Sequence, residues 1–320
     1  MTPIRLAGIA VALLAALPAQ AQDYPTRPIR IVIAFPPGGP TDFVGRLIAD
    51  KMKDALGQPV IIENKAGANG TLGADAVAKS PPDGYSVFLT TFGAVTVSPH
   101  TFPNLPYAPL RDFAPIVQVV SNTTYIVVNP KLGIKTAKDL VALAKEKPGT
   151  VTFASTGVGS PPHLAQEEFA ASAGVKFLHV PYRGAAPALT DLLGGQVQVL
   201  AADLPVLISQ IQGGALLPLG AAADRRNSRL PDVPTLAEQG YPDTDASNWY
   251  GLLAPAKTPP AVIGKLNSAV NGALNDPDVR RKLVDSGAIP VGGTAEAFGA
   301  FMKAEYEKWG RVVRERGIKE

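Results

Sequence analysis

The sequence has no cysteine among its 320 residues. This absence excludes disulfide bonds, thiolate metal ligands, a cysteine nucleophile and a lipid-modified cysteine as membrane anchor. Charged residues are also sparse, at 18%, and the net charge of +3 gives little support for any anionic partner. The basic residues are scattered and form no stripe with aromatic residues, so nucleic-acid binding is not expected.

Long hydrophobic runs are missing, apart from one short run at the start. Arg5 precedes an apolar stretch over residues 6–17, and the small residues Ala19 and Ala21 mark a cleavage site. This stretch is too short to span a membrane, and no later stretch is long enough. We therefore predict a signal peptide over residues 1–21, cleaved after Ala21. An exported chain without an anchor favours the periplasm of a Gram-negative cell.

Histidine is rare, with three in the chain, and no His-x-x-x-His pair or glutamate-rich cluster is present. The sequence therefore predicts no metal site, and no cofactor is expected. His163 lies in a candidate loop, whereas His100 and His179 are interpreted as structural. Glu167 and Glu168 follow His163 on a helix that is predicted to be solvated.

Short apolar runs alternate with amphipathic segments along most of the chain. Strands are predicted at residues 29–35, 60–62, 85–90, 125–128, 151–154, 177–180, 197–201, 216–222 and 248–254. The first helix is predicted at residues 42–56, with Thr41 or Asp42 as its cap. This alternation is typical of an α/β protein with a doubly wound, largely parallel sheet.

The length of the chain suits two lobes better than one core. After residue 254 the alternation stops, and three helical stretches begin near Pro259, Asp276 and Thr294. A C-terminal helical stretch that packs back on the first lobe would explain this change. We predict lobe 1 from residues 22–121 and 246–320, and lobe 2 from residues 122–245.

Three loops follow predicted strands, and ligands of open α/β sheets bind beyond the carboxyl ends of the strands. The first loop (residues 35–42) contains Gly38 and Gly39, which allow close backbone approach, and it leads into a helix whose N–H groups attract anions. A tight turn with a helix cap is an equally weighted alternative. The second loop (residues 90–93) offers Thr91 and Gly93, a weaker signal.

The third loop (residues 155–163) also joins a strand to a helix. It offers the hydroxyls of Ser155, Thr156 and Ser160, together with backbone N–H groups. Convergent hydrogen-bond donors of this kind suit a carboxylate. The loop lacks the Gly-Lys-Ser/Thr ending of a P-loop, which argues against nucleotide phosphate binding.

Two charged residues also follow predicted strands. Arg183 is a candidate partner for a second ligand carboxylate, with a surface or interdomain salt bridge as the alternative. Asp203 either accepts a hydrogen bond from a ligand hydroxyl or ammonium group, or caps the helix that follows it. The sequence alone does not decide between these readings.

Taken together, these segments resemble the substrate-binding receptors of tripartite tricarboxylate transporters, the Bug family. The resemblance covers essentially the whole mature chain. Its markers are Phe35-Pro36-Pro37-Gly38-Gly39-Pro40-Thr41-Asp42, Asn64-Lys65-Ala66-Gly67-Ala68-Asn69-Gly70, Pro82-Asp83-Gly84-Tyr85, Gly159-Ser160-Pro161-Pro162-His163-Leu164-Ala165, Val180-Pro181-Tyr182-Arg183-Gly184, Asp232-Val233-Pro234-Thr235 and Trp249-Tyr250-Gly251-Leu252.

The resemblance implies a two-lobed periplasmic-binding-protein fold of type II that closes on its ligand. It also implies that main-chain and hydroxyl donors hold one ligand carboxylate, partly through ordered waters. The positions carried over are Phe35, Gly38, Gly39, Thr41, Ser155, Thr156, Gly159, Ser160, His163, Tyr182, Gly184 and Asp203. Ligands of the family include amino acids, di- and tricarboxylates and aromatic acids. The expected partner is a membrane transporter or a periplasmic sensor domain, and the receptor is expected to be a monomer.

The main alternative is a serine hydrolase that uses Ser160, His163 and Asp203. A nucleophile must be activated by a base that a third group orients, but no Gly-x-Ser-x-Gly elbow surrounds Ser160. The sequence therefore favours a receptor that is not an enzyme. A phosphate or transition-metal receptor of the same two-lobed architecture is a second alternative.

Overall fold

The structure, a computed structural model, describes residues 23–319. The predicted signal peptide and its cleavage site therefore lie outside the described residues. Within residues 23–319, no helix has both the length and the apolar character needed to cross a membrane.

Eleven strands form two sheets in the described part of the chain. In chain order they are β1 (Ile29–Ile33), β2 (Val60–Asn64), β3 (Ser86–Thr91), β4 (Phe113–Asn122), β5 (Thr124–Val128), β6 (Thr152–Ser155), β7 (Leu178–Pro181), β8 (Val199–Asp203), β9 (Leu217–Ala222), β10 (Asn248–Pro255) and β11 (Ala288–Gly292). The six-stranded sheet has the order β11-β4-β10-β3-β1-β2, and the five-stranded sheet has the order β7-β6-β8-β5-β9. We refer to these sheets, with their helices, as lobe 1 and lobe 2.

The helices cover both sheets. In chain order they are α1 (Pro40–Leu56), α2 (Thr71–Ala78), α3 (Ser98–Thr101), α4 (Pro109–Asp112), α5 (Ala137–Glu146), α6 (Pro161–Ala173), α7 (Ala185–Gly194), α8 (Leu204–Gln212), α9 (Pro260–Asn275), α10 (Pro277–Asp285) and α11 (Ala295–Arg316). A π-helical turn, Gly93–Val97, follows β3. Helix α9 packs against α1, and α11 packs against β4, so the C-terminal helices do return to lobe 1 as expected.

The predicted two-lobed α/β architecture is confirmed, but the sheets are mixed rather than largely parallel. Strand β10 runs antiparallel to both β3 and β4, and β5 runs antiparallel to both β8 and β9. Two strands were not predicted. Pro115 and Gln118 interrupt the apolar pattern of β4, and β11 is a short edge strand that contains Pro290.

Two local expectations for the helices are wrong. Helix α1 begins two residues earlier, at Pro40, so its N-cap is Gly39 and neither Thr41 nor Asp42 caps it. Proline is favoured at the first helical position because its missing N–H has no partner there. Helix α6 is not solvated, because most of it is buried, including the side chain of Glu168.

The chain passes between the two sheets twice, from β4 to β5 and again from β9 to β10. A continuous hydrophobic cluster extends across both lobes and includes Trp249, Trp309 and Phe153. Arg316 at the end of α11 also reaches the buried Glu168 of α6, at 3.3 Å between Nε and Oε1. The residue boundaries of the lobes stay a prediction.

Candidate functional site

The first loop is organised by the buried carboxylate of Asp42. Its Oδ2 atom accepts hydrogen bonds from the Gly38 N–H at 2.9 Å and from Arg46 Nε at 2.8 Å. Its Oδ1 atom accepts from Asn64 Nδ2 at 2.9 Å, and the same amide donates to the Phe35 carbonyl. Burial alone would raise the pKa of Asp42, but these hydrogen bonds and the Arg46 charge lower it.

The first loop nevertheless keeps several donors free. The N–H groups of Gly39, Thr41 and Asp42 have no hydrogen-bond partner among residues 23–319. They lie at the start of α1, where unpaired N–H groups and the helix dipole favour an acceptor. Gly38 has φ of 81°, a backbone conformation that favours glycine.

The second loop contributes a buried hydroxyl and a close backbone approach. Thr91 ends β3, and its Oγ1 atom is buried with no hydrogen-bond partner among the described residues. Gly93 packs against the amide of Asn69, because a Cβ atom on Gly93 would lie 3.2 Å from Asn69 Nδ2. That Nδ2 atom is also buried without a partner in residues 23–319. Sequence reasoning placed Asn69 in a family marker but not in the site.

The third loop is held by its own hydroxyls and by a histidine. Ser160 is the N-cap of α6: its Oγ atom donates to the Gly157 carbonyl at 2.6 Å and accepts the His163 N–H at 3.4 Å. The Gly159 N–H donates to His163 Nδ1 at 3.1 Å. The N–H groups of Thr156 and Val158 have no partner among residues 23–319, so they remain available to a ligand.

His179 belongs to this site, although the sequence suggested only a structural role. Its Nε2 atom lies 2.7 Å from Ser155 Oγ, and its ring stacks on that of His163 with 3.9 Å between centroids. Burial, and then the neighbouring His163, lower the pKa of His179 to about 4. No sequence signal indicated this role, because His179 meets Ser155 only through the pairing of β7 with β6.

The residues of the hydrolase alternative do not assemble into a triad. The Ser160 hydroxyl bonds to backbone groups, and His163 Nδ1 accepts from a backbone N–H rather than facing Ser160. His163 Nε2 lies 3.6 Å from Glu167, and Asp203 bonds to other side chains. A serine nucleophile with an oriented base is therefore absent from these three residues.

Three further candidates lie where β7 leads into α7. The Tyr182 N–H donates to the Ser155 carbonyl at 3.0 Å, which places this segment beside the third loop. The Tyr182 hydroxyl donates to Asp191 Oδ2 at 2.6 Å, and burial followed by the Asp191 contact raises the pKa of Tyr182 to about 12. Arg183 is exposed and makes no ion pair with any residue in 23–319. Gly184 is the N-cap of α7, with φ of 109°.

Of the two readings of Asp203, the helix cap is wrong, and the contact with a ligand stays a prediction. It stands at the N-cap position of α8, but its side chain does not cap the helix. Instead it accepts from Thr124 Oγ1 at 3.1 Å and from Asn248 Nδ2 at 2.6 Å, and the side chain of Tyr250 lies beside it. Burial raises the pKa of Asp203 to about 6, against the opposing effect of these hydrogen bonds.

The arrangement offers neutral donors at the ends of strands in both lobes. The third loop, with residues 182–184 beside it, lies in lobe 2, and the first and second loops lie in lobe 1. Within residues 23–319, no group of three or more His, Asp and Glu side chains could hold a metal ion. Two α/β lobes joined by two crossings, with such loops at the strand ends, define a two-lobed solute-binding receptor.

The family follows from comparison with known proteins. Residues 44–318 match the model of the tripartite tricarboxylate transporter family receptor. The chain belongs to this family of periplasmic substrate-binding receptors, and it is a receptor rather than an enzyme. The expected resemblance to the Bug receptors is thereby confirmed.

Several relatives are similar over nearly their whole length. Protein BugT of Bordetella pertussis is 40% identical over 305 residues, which cover 95% of this chain and 94% of that protein. The structure of R. palustris Rpa4515 with adipate is 32% identical, with a TM-score of 0.87, and covers 93% of this chain and 99% of that one. The structure of MatC from Rhodopseudomonas palustris with bound malate is 32% identical, with a TM-score of 0.83. The match covers 91% of this chain and 100% of that one.

Proposed function

We propose that this receptor captures a small carboxylate between its two lobes and presents it to a membrane transporter or a periplasmic sensor domain. Two similar structures hold adipate and malate, both of which are dicarboxylates. The observation that carries the proposal is the start of α6. Ser160 caps this helix, its first turn has no acidic residue, and unpaired N–H groups precede it.

A carboxylate suits such a site because it accepts several hydrogen bonds at once and is stabilised by the positive end of a helix dipole. The proposed contacts on lobe 2 come from the third loop and the residues beside it. They are Ser155, Thr156, Gly159, Ser160, His163, Tyr182, Arg183 and Gly184. Arg183 is the one cation among them, and its exposed guanidinium suits a second carboxylate at the mouth of the cleft.

The proposed contacts on lobe 1 come from Phe35, Gly38, Gly39 and Thr41, with Thr91 and Gly93 of the second loop. We place the hinge at the two chain crossings, with lobe 1 formed by residues 22–121 and 246–320 and lobe 2 by residues 122–245. The ligand closes the lobes to the extent that it binds the closed form more tightly than the open form. The receptor works as a monomer in this proposal.

A ligand screen tests the proposal. The chain from Gln22 onward is melted with linear dicarboxylates, citrate, acidic amino acids and aromatic acids, and with phosphate and neutral sugars as controls. A ligand at a hundredfold excess over Kd stabilises the protein by about 2.7 kcal/mol, which raises Tm by roughly 4 °C. A shift with phosphate or sugar alone would contradict carboxylate binding.

A pair of threonines at opposite ends of β6 provides a matched control. Thr156 follows the strand in the third loop, whereas Thr150 precedes it at the far end and is exposed. Thr156→Val is expected to weaken carboxylate binding about fivefold through loss of one hydroxyl, and Thr150→Val is expected to leave it unchanged. Equal affinities of the two variants in calorimetry would remove Thr156 from the site.

A further inference from the structure

The crossing between the lobes contains an unusual group of buried polar side chains. Asn122 ends β4 and lies directly opposite Asn248, which begins β10. Both residues are almost fully buried. Both amide atoms of Asn122, and Oδ1 of Asn248, have no hydrogen-bond partner among residues 23–319. Unpaired buried polar atoms destabilise the folded protein, so a group of them at one place indicates a functional role.

This group contains one carboxylate, Asp203, which lobe 2 supplies at the end of β8. One of its donors, Thr124, belongs to the adjacent strand of the same sheet. The other two partners, Asn248 and Tyr250, belong to β10 of lobe 1. The hydrogen bonds of Asp203 therefore join the two lobes. Tyr250 is the one titratable group in contact with it, and its other side-chain partners are neutral.

Tyr250 continues the connection into the first loop. It lies opposite Thr91 in the sheet, and its hydroxyl lies beside both the carboxylate of Asp203 and the hydroxyl of Thr41. Thr41 stands in the first turn of α1, beside the free N–H groups of the first loop. A line of polar contacts thus runs from a proposed ligand-binding loop of lobe 1, through Tyr250, to a carboxylate of lobe 2.

We propose that Tyr250 is a positioning residue: its hydroxyl couples the first loop to Asp203, so that ligand binding and lobe closure stabilise each other. Separation of the lobes moves Tyr250 of lobe 1 away from Asp203, whereas the bond to Thr124 stays within lobe 2 and Asn248 lies at the crossing itself. The carboxylate has no cationic partner and depends on these neutral donors whenever water is excluded. This inference rests on the proposed receptor function.

The absence of cysteine makes the lobe movement directly measurable. Lys65→Cys at the end of β2 and Ala186→Cys in the first turn of α7 place one spin label on each lobe at exposed positions. Distances between the labels, with and without a carboxylate identified by the melting screen, report the closed fraction. Affinity is measured in parallel by calorimetry on the unlabelled protein.

Tyr250→Phe removes the hydroxyl and keeps the ring. We expect carboxylate affinity about tenfold weaker and a smaller closed fraction at equal ligand occupancy. Tyr24→Phe is the matched control, because its hydroxyl makes one 2.8 Å bond to the Gly84 carbonyl near the amino end of β3. Wild-type affinity and closure in Tyr250→Phe, even with reduced Tm, would overturn the proposal.

Asp203→Asn gives a second test if Tyr250→Phe folds poorly. Burial raises the pKa of Asp203 to about 6 with the bonds intact, and exposure to water in an open form returns it towards its ordinary value near 4. Closure then takes up a proton, so wild-type affinity, relative to that of Asp203→Asn, is expected to rise about fourfold from pH 7.5 to pH 5.5. Because both proteins bind the same ligand, ionisation of the ligand cancels in the ratio of the two affinities. A ratio that does not change with pH would overturn the coupling.

The two proposals fail in different ways. If no carboxylate stabilises the wild type, the proposed function fails, and the spin-label distances of the ligand-free wild type and Tyr250→Phe still test the link between the lobes. A distance distribution that is unchanged by Tyr250→Phe in the ligand-free protein would then overturn the inference by itself. A wild type that binds a carboxylate while Tyr250→Phe behaves identically overturns the inference alone.

Discussion

The first loop of lobe 1 and the third loop of lobe 2 both lead from a strand into a helix, but only the first has a charged side chain in the first turn of that helix. In the first loop, the carboxylate of Asp42 already occupies the first turn of α1 and accepts the Gly38 N–H. In the third loop, the first turn of α6 has no acidic residue, and the neutral hydroxyl of Ser160 caps it. The same local geometry therefore has different affinities for an anion.

The difference indicates that the two lobes contribute differently to ligand binding. The negative charge of Asp42 offsets the dipole of α1, so the first loop is better suited to orienting a ligand than to attracting its charge. The first turn of α6 has no acidic residue to offset its dipole, so we expect it to be the stronger site for a carboxylate. The following predictions test this comparison, from the largest expected effect to the smallest.

Removal of Asp42 should have the largest effect on stability. Asp42→Ala leaves the Gly38 N–H and the Asn64 amide without their buried acceptor, so we expect a loss of about 3 kcal/mol in the free energy of unfolding. Asp50→Ala on the same helix removes an exposed ion pair and should leave the free energy of unfolding almost unchanged. Urea unfolding measures both, and similar losses would refute the organising role of Asp42.

His179 should make lobe 2 sensitive to acid. Its pKa is lowered to about 4 by burial and by His163, so the unfolded chain binds a proton more readily than the folded protein between about pH 6.5 and pH 4. Its contribution to stability is therefore complete above pH 6.5 and is lost as the pH falls through that window. After allowance for the partial exposure of the ring, we expect this contribution to the free energy of unfolding to be about 1–2 kcal/mol.

Asp203 acts in the opposite direction, because its raised pKa lets the folded protein bind a proton near pH 5 more readily than the unfolded chain. His179→Gln removes the first contribution and leaves the second. Urea midpoints at pH 7.5 and pH 4.5 should fall less on acidification in His179→Gln than in the wild type. His163, Ser155 and Glu167 are the groups that face His179. Equal falls of the urea midpoint in His179→Gln and the wild type would contradict the role of His179 in acid sensitivity.

Loss of a helix cap should have the smallest effect on stability but should separate structure from binding. Ser160→Ala is expected to cost about 1 kcal/mol, as is Thr136→Ala, which removes the capping box of α5. Only Ser160→Ala should also weaken carboxylate binding, because Thr136 lies outside the third loop. If both variants bind equally well, the start of α6 is not the anion site.

The architecture could be predicted because the alternation of strands and helices is local in the sequence. The loops at the ends of β1, β3 and β6 were found for the same reason, since a strand followed by glycines or hydroxyls is visible in one segment. Strand β4 was missed because Pro115 and Gln118 disguise its pattern, although burial between two neighbouring strands stabilises it.

The missing parts of the site depend on contacts between distant segments. Tyr250 meets Thr41 and Asp203 only because β10 inserts between β3 and β4, and no spacing in the sequence indicates that insertion. His179 was interpreted as structural because its partner Ser155 lies on a neighbouring strand and not nearby in the sequence. Helix α6 was taken as solvated because Glu167 and Glu168 suggest a polar face, whereas Arg316 from the end of the chain reaches Glu168.

The position of β10 between β3 and β4 also sets the order in which the protein is made. Strand β4 ends at Asn122, and β10 begins only at Asn248. At about 5–20 residues per second, a ribosome needs roughly 10 s to synthesise the intervening segment. Through that interval the facing edges of β3 and β4 have no partner, and unpaired strand edges attract other chains. The sheet of lobe 1 is therefore completed late, and its two facing edges stay open to other chains until β10 is available.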